Sequence, residues 1–236
     1  MTFAGFVLLS LCDYPGCVAS VLFTQGCNFR CPWCHNPHLV PATPPDGAVA
    51  HDEDAVVDML ASRRTRVEGV VVTGGEPTLH AAELPAFLRR LRALGLRIKL
   101  DTNGSRPEVL RALFDERLLD YVAMDIKAPW ARYAALTGLP ACDVAALQDS
   151  VALIAGSGVA HQFRTTRVDP LLSESDYEAI RQQIPNGSPH VWQTFRPDVC
   201  LTPEKLTAAL AEGEESAREH GWVSMDAAME ELGGQL

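Results

Sequence analysis

The sequence predicts an α/β protein: a parallel, open sheet of six strands with helices outside it, curved into the arc of a barrel. Three observations carry this. Short apolar, β-branched runs alternate with stretches whose apolar residues recur every three or four positions, the βαβα pattern of a parallel sheet covered by helices. GVVVT at 69–73 is apolar almost throughout, as strands buried on both faces are. The chain's 236 residues are enough for one core of this kind, so a single domain is expected over 1–236.

Residues 1–17 read as a leader ahead of the sheet, and the first strand runs from about Val18 to Thr24. The Pro-rich stretch PATPPDGAVAHDED is a surface connection, in which Asp52 or Asp54 caps a helix carrying Val56, Val57 and Leu60. The second strand, 69–73, leads into Gly74, Gly75, Glu76 and Pro77. Leu84, Phe87, Leu88, Leu91 and Leu94 then mark an amphipathic helix stopped by Gly95, with Arg89, Arg90 and Arg92 on its solvated face. Strand three is Arg97 to Asp101, followed by a helix from Pro107 to about Leu118. Strand four is Tyr121 to Ile126, and a helix carrying Val144, Leu147, Val151 and Ile154 comes after an irregular segment. Strand five is His161 to Val168, Ser173 and Asp176 open the next helix as a capping box, and strand six lies near Val191 to Phe195. A polar helical extension is expected over about 203–236.

Twenty basic and thirty acidic residues give a net charge of −10, which argues against a surface that tracks nucleic-acid phosphates. The N-terminal apolar patch lacks the basic flank and small-residue cleavage site of a signal peptide, and no run approaches the roughly 20 apolar residues of a spanning helix. A cytoplasmic location without membrane attachment is expected. Seven cysteines, three of them clustered, suit a reducing compartment and a metal site better than a disulfide framework. Cys12, Cys17, Cys142 and Cys200 read as plain reduced thiols.

The stretch VLFTQGCNFRCPWCHN at 21–36 sets Cys27, Cys31 and Cys34 at the spacing Cys-x3-Cys-x2-Cys. Three thiolates at this pitch can hold one face of a [4Fe-4S] cluster, whereas a four-cysteine ferredoxin set would close the last iron. No fourth cysteine follows nearby, so one iron would keep open positions, as a catalytic zinc keeps one. A zinc knuckle or a set of buried thiols is the alternative.

This spacing after an apolar strand resembles the signature of the radical S-adenosylmethionine (radical SAM) enzymes. SLCDYPGCVASVLFTQGCNFRCPWCHNPHLV is similar to the opening of the anaerobic ribonucleoside-triphosphate reductase activating proteins, although those more often carry an aliphatic residue at position 12 and a basic one at 17. The resemblance implies a partial (βα)6 barrel, a [4Fe-4S] cluster and SAM, whose reductive cleavage gives a 5′-deoxyadenosyl radical. It further implies a glycyl-radical enzyme as protein partner and a flavodoxin or ferredoxin-type reductant. The radical is borne by the cofactor, so no catalytic side chain is expected.

The remaining candidates follow the ends of the strands, where such folds bind ligands. The resemblance gives Gly74, Gly75 and Glu76 the methionine amino end of SAM, and Trp33 the neighbourhood of the adenine; Trp33 equally serves as a core aromatic shielding the cluster. His35 reads as a structural residue or a hydrogen-bond donor to the cluster, not a ligand. Asp101 and Asp125 would repel each other and the SAM carboxylate unless something positive intervened. Either Lys127 supplies that charge, or a monovalent cation bound by Asp101, Thr102, Asp125 and backbone carbonyls does, as glycyl-radical activating relatives suggest; the plainer alternative is that both aspartates cap loops. Asn103 and Arg164 are candidates for the ribose or carboxylate. Two other functions stay open: a radical SAM enzyme acting on a small molecule, and an iron-sulfur electron carrier.

Overall fold

The computed structural model describes residues 1–138, 142–169 and 171–195. Strands β1 (Phe3–Ser10), β2 (Ala19–Thr24), β3 (Gly69–Gly74), β4 (Arg97–Thr102), β5 (Tyr121–Asp125), β6 (Ala160–Arg167) and β7 (His190–Thr194) form one sheet in chain order. β2 to β7 are parallel, and β1 is antiparallel to β2. The six expected strands are β2 to β7.

β1 corrects the reading of 1–17 as a leader ahead of the sheet. Its outer residues Val7, Leu8 and Leu9 are exposed although apolar, so the stretch shows no alternation by which a half-buried strand would be recognised. Residues 11–17 turn back under the sheet. There Tyr14 and Cys17 join Ala19, Val21 and Val71 in a small apolar cluster. Tyr14 also lies edge-on to Tyr121 at 5.8 Å and under the Arg97 guanidinium at 5.6 Å.

The helices α1 (Glu53–Arg63), α2 (Leu84–Ala93), α3 (Pro107–Asp115), α4 (Tyr133–Thr137), α5 (Val144–Gly156) and α6 (Glu174–Gln183) complete the described chain. Asp52, the first of the two expected caps, accepts from Ala55 N–H at 2.8 Å, and Ser173 with Asp176 forms the expected capping box. Leu84, Phe87, Leu88 and Leu91 of α2 are wholly buried, each favouring the fold by about 1.5–3 kcal/mol over an exposed position. The arginines on the other side of α2 are not merely solvated: Arg89 pairs with Glu116, Arg90 with Asp54 and Arg92 with Asp120. α3 stops three residues earlier than expected, and Arg117 just beyond it takes φ +53°. The irregular segment before α5 contains the short α4. The extension expected over about 203–236 and Cys200 lie outside the described residues, and no helix among the described residues is long and apolar enough to cross a membrane.

Because side chains alternate along a strand, the sheet has two unlike faces. Leu22, Val72, Ile98, Leu100, Val122 and Phe163 pack in the main core with the helices. The other face carries Lys99 and Asp101 on β4, Asp125 on β5 and Arg164 on β6, with Asp125 and Arg164 directly paired across the two strands.

Candidate cofactor site

Beyond the carboxyl ends of the strands the chain encloses a cavity of about 220 Å³. All thirteen candidate residues line it: Cys27, Cys31, Cys34, Trp33, Gly74, Gly75, Glu76, Asp101, Thr102, Asn103, Asp125, Lys127 and Arg164. Cys12, Cys17 and Cys142 do not, and all three are unpaired thiols. His35, Asn36, Thr166 and Gln193 are further lining residues.

The thiol wall is a closed loop. Gly26 N–H and Cys27 N–H donate to Leu39 O and Val40 O at 2.8 and 3.1 Å, and the Gln25 amide donates to His38 O and Pro41 O. Arg30 donates its guanidinium to Cys27 O and Phe29 O, and its backbone N–H to Thr137 O. Phe29 N–H donates to Cys27 Sγ at 3.4 Å. Burial pushes the Cys27 thiol up to about 11 and the Cys31 thiol up to about 12.

The glycine loop packs backbone to backbone against this wall. Gly74 has φ +124°, a conformation open to glycine. Glu76 N–H donates to Gly26 O at 2.7 Å and Gly75 N–H to Thr24 O at 2.9 Å. The Glu76 carboxylate, expected at the ammonium end of SAM, also serves within the chain. It is wholly buried, accepting at Oε1 from Thr78 N–H, Thr78 Oγ1 and Thr102 Oγ1, and at Oε2 from Asn103 N–H at 2.6 Å. Burial raises its pKa against those hydrogen bonds. Glu76 therefore ties the glycine loop to the end of β4. Asn103 is also engaged, donating to Asn28 Oδ1 at 2.8 Å and accepting from Ser105 N–H.

The third wall is ionic. Lys127 Nζ meets Asp125 Oδ2 at 3.0 Å, Arg164 Nε meets Asp125 Oδ1 at 2.7 Å, Arg164 Nη1 meets Asp101 Oδ2 at 3.0 Å, and Lys99 Nζ holds Asp101 Oδ1. Burial acts to raise the Asp125 carboxyl, but Arg164 and Lys127 hold it well below the usual range. Burial acts to lower Lys127 and Arg164, whereas Asp125 raises Lys127, and Asp101 and Asp125 raise Arg164. Lys99, 1% exposed, is lowered by burial despite Asp101. Of the two expected sources of positive charge, Lys127 is present, together with Arg164 and Lys99.

Asn28 and Lys99 escaped the sequence reading. Lys99 had a signal: a lysine in the middle of a strand, two residues before Asp101 and so on the same face. Asn28 had none, since its partners Asn103 and Ser105 are 75 and 77 residues away.

A family model described as the radical SAM superfamily matches residues 21–181, which takes in the thiol loop and every strand of the cavity up to β6. The chain belongs to the radical SAM superfamily. A Methanocaldococcus jannaschii protein, named provisionally as a glycyl-radical enzyme activating enzyme, is 30% identical over 198 residues, covering 82% of this chain and 80% of its own. That match sets this radical SAM enzyme in the family of glycyl-radical enzyme activating enzymes. The pyruvate formate-lyase-activating enzyme of Staphylococcus epidermidis is 34% identical over 138 residues, covering 54% of each chain. In fold, the chain is similar to the solved structure described as native anSMEcpe with bound AdoMet, with a TM-score of 0.56 and 15% identity, covering 85% of this chain and 61% of that one.

The radical SAM cofactors are a [4Fe-4S] cluster and SAM, and the residues present fit both. Cys27, Cys31 and Cys34 line one cavity and none is in a disulfide, so three thiol donors of the kind that hold such a cluster face the same space. Facing the thiols, Lys99, Lys127 and Arg164 meet Asp101 and Asp125, which sets cationic groups at the wall for a carboxylate.

Proposed function

We propose that this radical SAM enzyme installs a glycyl radical on a partner enzyme, and that the partner is an anaerobic ribonucleoside-triphosphate reductase. The observation that carries the activase reading is the match to the M. jannaschii relative over most of both chains. The finer partner rests on the wording of residues 10–40, SLCDYPG and the thiol loop after it. A flavodoxin or ferredoxin-type protein serves as reductant. The enzyme works in the cytoplasm, a reading supported by six unpaired cysteines among the described residues.

Cys27, Cys31 and Cys34 hold the cluster, and the backbone of Gly74 and Gly75 takes the ammonium end of SAM, because the Glu76 carboxylate is already occupied. Lys127 and Arg164 face the SAM carboxylate, and Trp33, 3% exposed, closes the wall beside the adenine. When bound, the cluster and SAM supply the reductive cleavage that yields a 5′-deoxyadenosyl radical, which takes a hydrogen atom from the partner's glycine. The chain's own part is placement and exclusion of water. A glycine offers no side chain to recognise, so specificity comes from docking the partner's surrounding loop over the cavity mouth.

The test is anaerobic cluster reconstitution, then reduction with SAM in the presence and absence of the candidate reductase. The expected result is 5′-deoxyadenosine together with a glycyl radical signal in electron paramagnetic resonance. Nucleoside product without any radical on the partner would overturn the activase reading.

A further inference from the structure

Asp101 and Asp125 end adjacent strands on one face of the sheet and border the cavity together. Two carboxylates so placed repel each other, and both repel any carboxylate that enters. Charge of opposite sign is needed, from a diffusible cation or from the protein. Here each of the four carboxylate oxygens carries a cationic donor of the chain: Lys99 on Asp101 Oδ1, Arg164 on Asp101 Oδ2 and Asp125 Oδ1, and Lys127 on Asp125 Oδ2. The bridging group is Arg164. Its guanidinium spans both aspartates through two different nitrogens, a fork geometry that an ammonium group does not offer. The Arg164 side chain is 14% exposed and Asp101 12%, so bulk salt screens this pair little.

We propose that Arg164 is a positioning residue that serves as the fixed counter-ion of the SAM site, so that this enzyme binds SAM without Na⁺ or K⁺. Lys99, buried beneath Asp101, holds that aspartate toward the guanidinium. A guanidinium stays protonated throughout the working range, so this counter-ion stays in place whatever the monovalent salt around it. The proposal rests on SAM binding and not on the identity of the partner enzyme, so failure to activate a given reductase leaves it standing.

The test measures SAM affinity of the cluster-loaded enzyme by equilibrium dialysis, and the change that SAM causes in the paramagnetic resonance signal of the reduced cluster. Both are read in choline chloride, NaCl and KCl of equal ionic strength. The wild-type dissociation constant is expected to agree within about twofold among the three salts, because the counter-ion is covalently attached. Arg164→Ala strips the cationic donor from Asp101 Oδ2 and Asp125 Oδ1 and leaves each aspartate with its lysine alone, and is expected to weaken binding in choline by at least about tenfold. Na⁺, K⁺ or added methylguanidinium is expected to restore a large part of that loss, an effect that simple damage to the fold would not show. Wild-type affinity that rises about tenfold on adding Na⁺ or K⁺ would overturn the proposal. So would an Arg164→Ala enzyme whose affinity is the same in all media. Should Arg164→Ala fail to fold, the salt exchange on the wild-type enzyme still decides. Absence of wild-type binding in every salt would refute the SAM site itself, and this proposal with it.

Discussion

Gly75 determines how closely the glycine loop approaches the thiol loop, and Gly75→Ala tests whether that approach matters. A Cβ at this position would stand 2.0 Å from Gly26 O, 2.5 Å from Gly26 C and 3.0 Å from Leu39 O, where ordinary contact begins at 3.4 Å. All three neighbours are backbone atoms, so no side chain can swing aside. The loops must part, and the bond from Glu76 N–H to Gly26 O, 2.7 Å long, parts with them. Overpacking costs about 1–3 kcal/mol and a lost hydrogen bond about 0.5–1.5 kcal/mol, together about 2–4 kcal/mol. In a chain of this size that lowers the melting temperature by roughly 5–15 °C. Gly5→Ala is the control, since nothing lies within 4 Å of a Cβ there. The assay is thermal unfolding of the cluster-free protein by circular dichroism, with iron and sulfide content after reconstitution as second readout. Gly26 precedes Cys27 directly, so the displaced loop is expected to load less iron. A Gly75→Ala protein that melts within about 2 °C of Gly5→Ala and loads iron equally would refute the claim that these loops are in tight backbone contact.

Glu76→Gln is expected to destabilise the fold by about 1–3 kcal/mol in urea. Either orientation of the amide turns an N–H₂ toward a backbone N–H, of Thr78 or of Asn103, and an unchanged midpoint would contradict the assigned bonds. Asp176 is held below its ordinary range first by the Ser173 N–H and then by Ser173 Oγ and Arg132. A depressed carboxyl contributes stability that is present above its unfolded pKa, near 3.9, and lost as pH falls through the folded value. Asp176→Asn should therefore cost about 0.5–2 kcal/mol at pH 7 and less at pH 3, and equal losses at both would sink this reading. Cys31→Ala is expected to abolish both 5′-deoxyadenosine and the glycyl signal. Cys142→Ala, outside the cavity, should spare both; loss of activity there would contradict its reading as a plain thiol.

Most of the sheet was legible because a parallel strand buried on both faces is written in the sequence as an unbroken apolar run, as in Val70 to Val72. The end of β3 and the bounds of two helices were legible because Gly74, Gly95 and Ser173 are punctuation with a mechanism. β1 was not, because an edge strand with three apolar residues exposed departs from both strand patterns. The candidate residues meet in one cavity because they lie toward or just beyond the carboxyl ends of the strands, which the topology brings together; Lys99 and Asn28 were not among them. What could not be read was orientation. Glu76 has one carboxylate and several possible partners, and only the folded chain shows that Thr78, Thr102 and Asn103 take it.

The charged layer also explains why the first seventeen residues belong to the fold. Along the inner face, β2 to β6 pass from an apolar floor, through Lys99, Asp101, Asp125 and Arg164, to the cavity with its thiols. Ionic pairs weaken wherever water reaches them from either side. Water on the cavity side is displaced when the cofactor binds, whereas the floor must be closed permanently. Tyr14 and Cys17 close it, packed against Val21 and Val71, and a Cβ at Gly69 would lie 2.7 Å from Cys17 Sγ, so the fit is tight. A small thiol in place of a long basic side chain at position 17 suits this role. A lysine there would bring a further positive charge beside the Arg97 guanidinium, which already acts on Cys17. Cys17→Lys is thus expected to unfold at lower temperature and to do so more strongly than Cys17→Ser, because the added charge must be buried as well as accommodated.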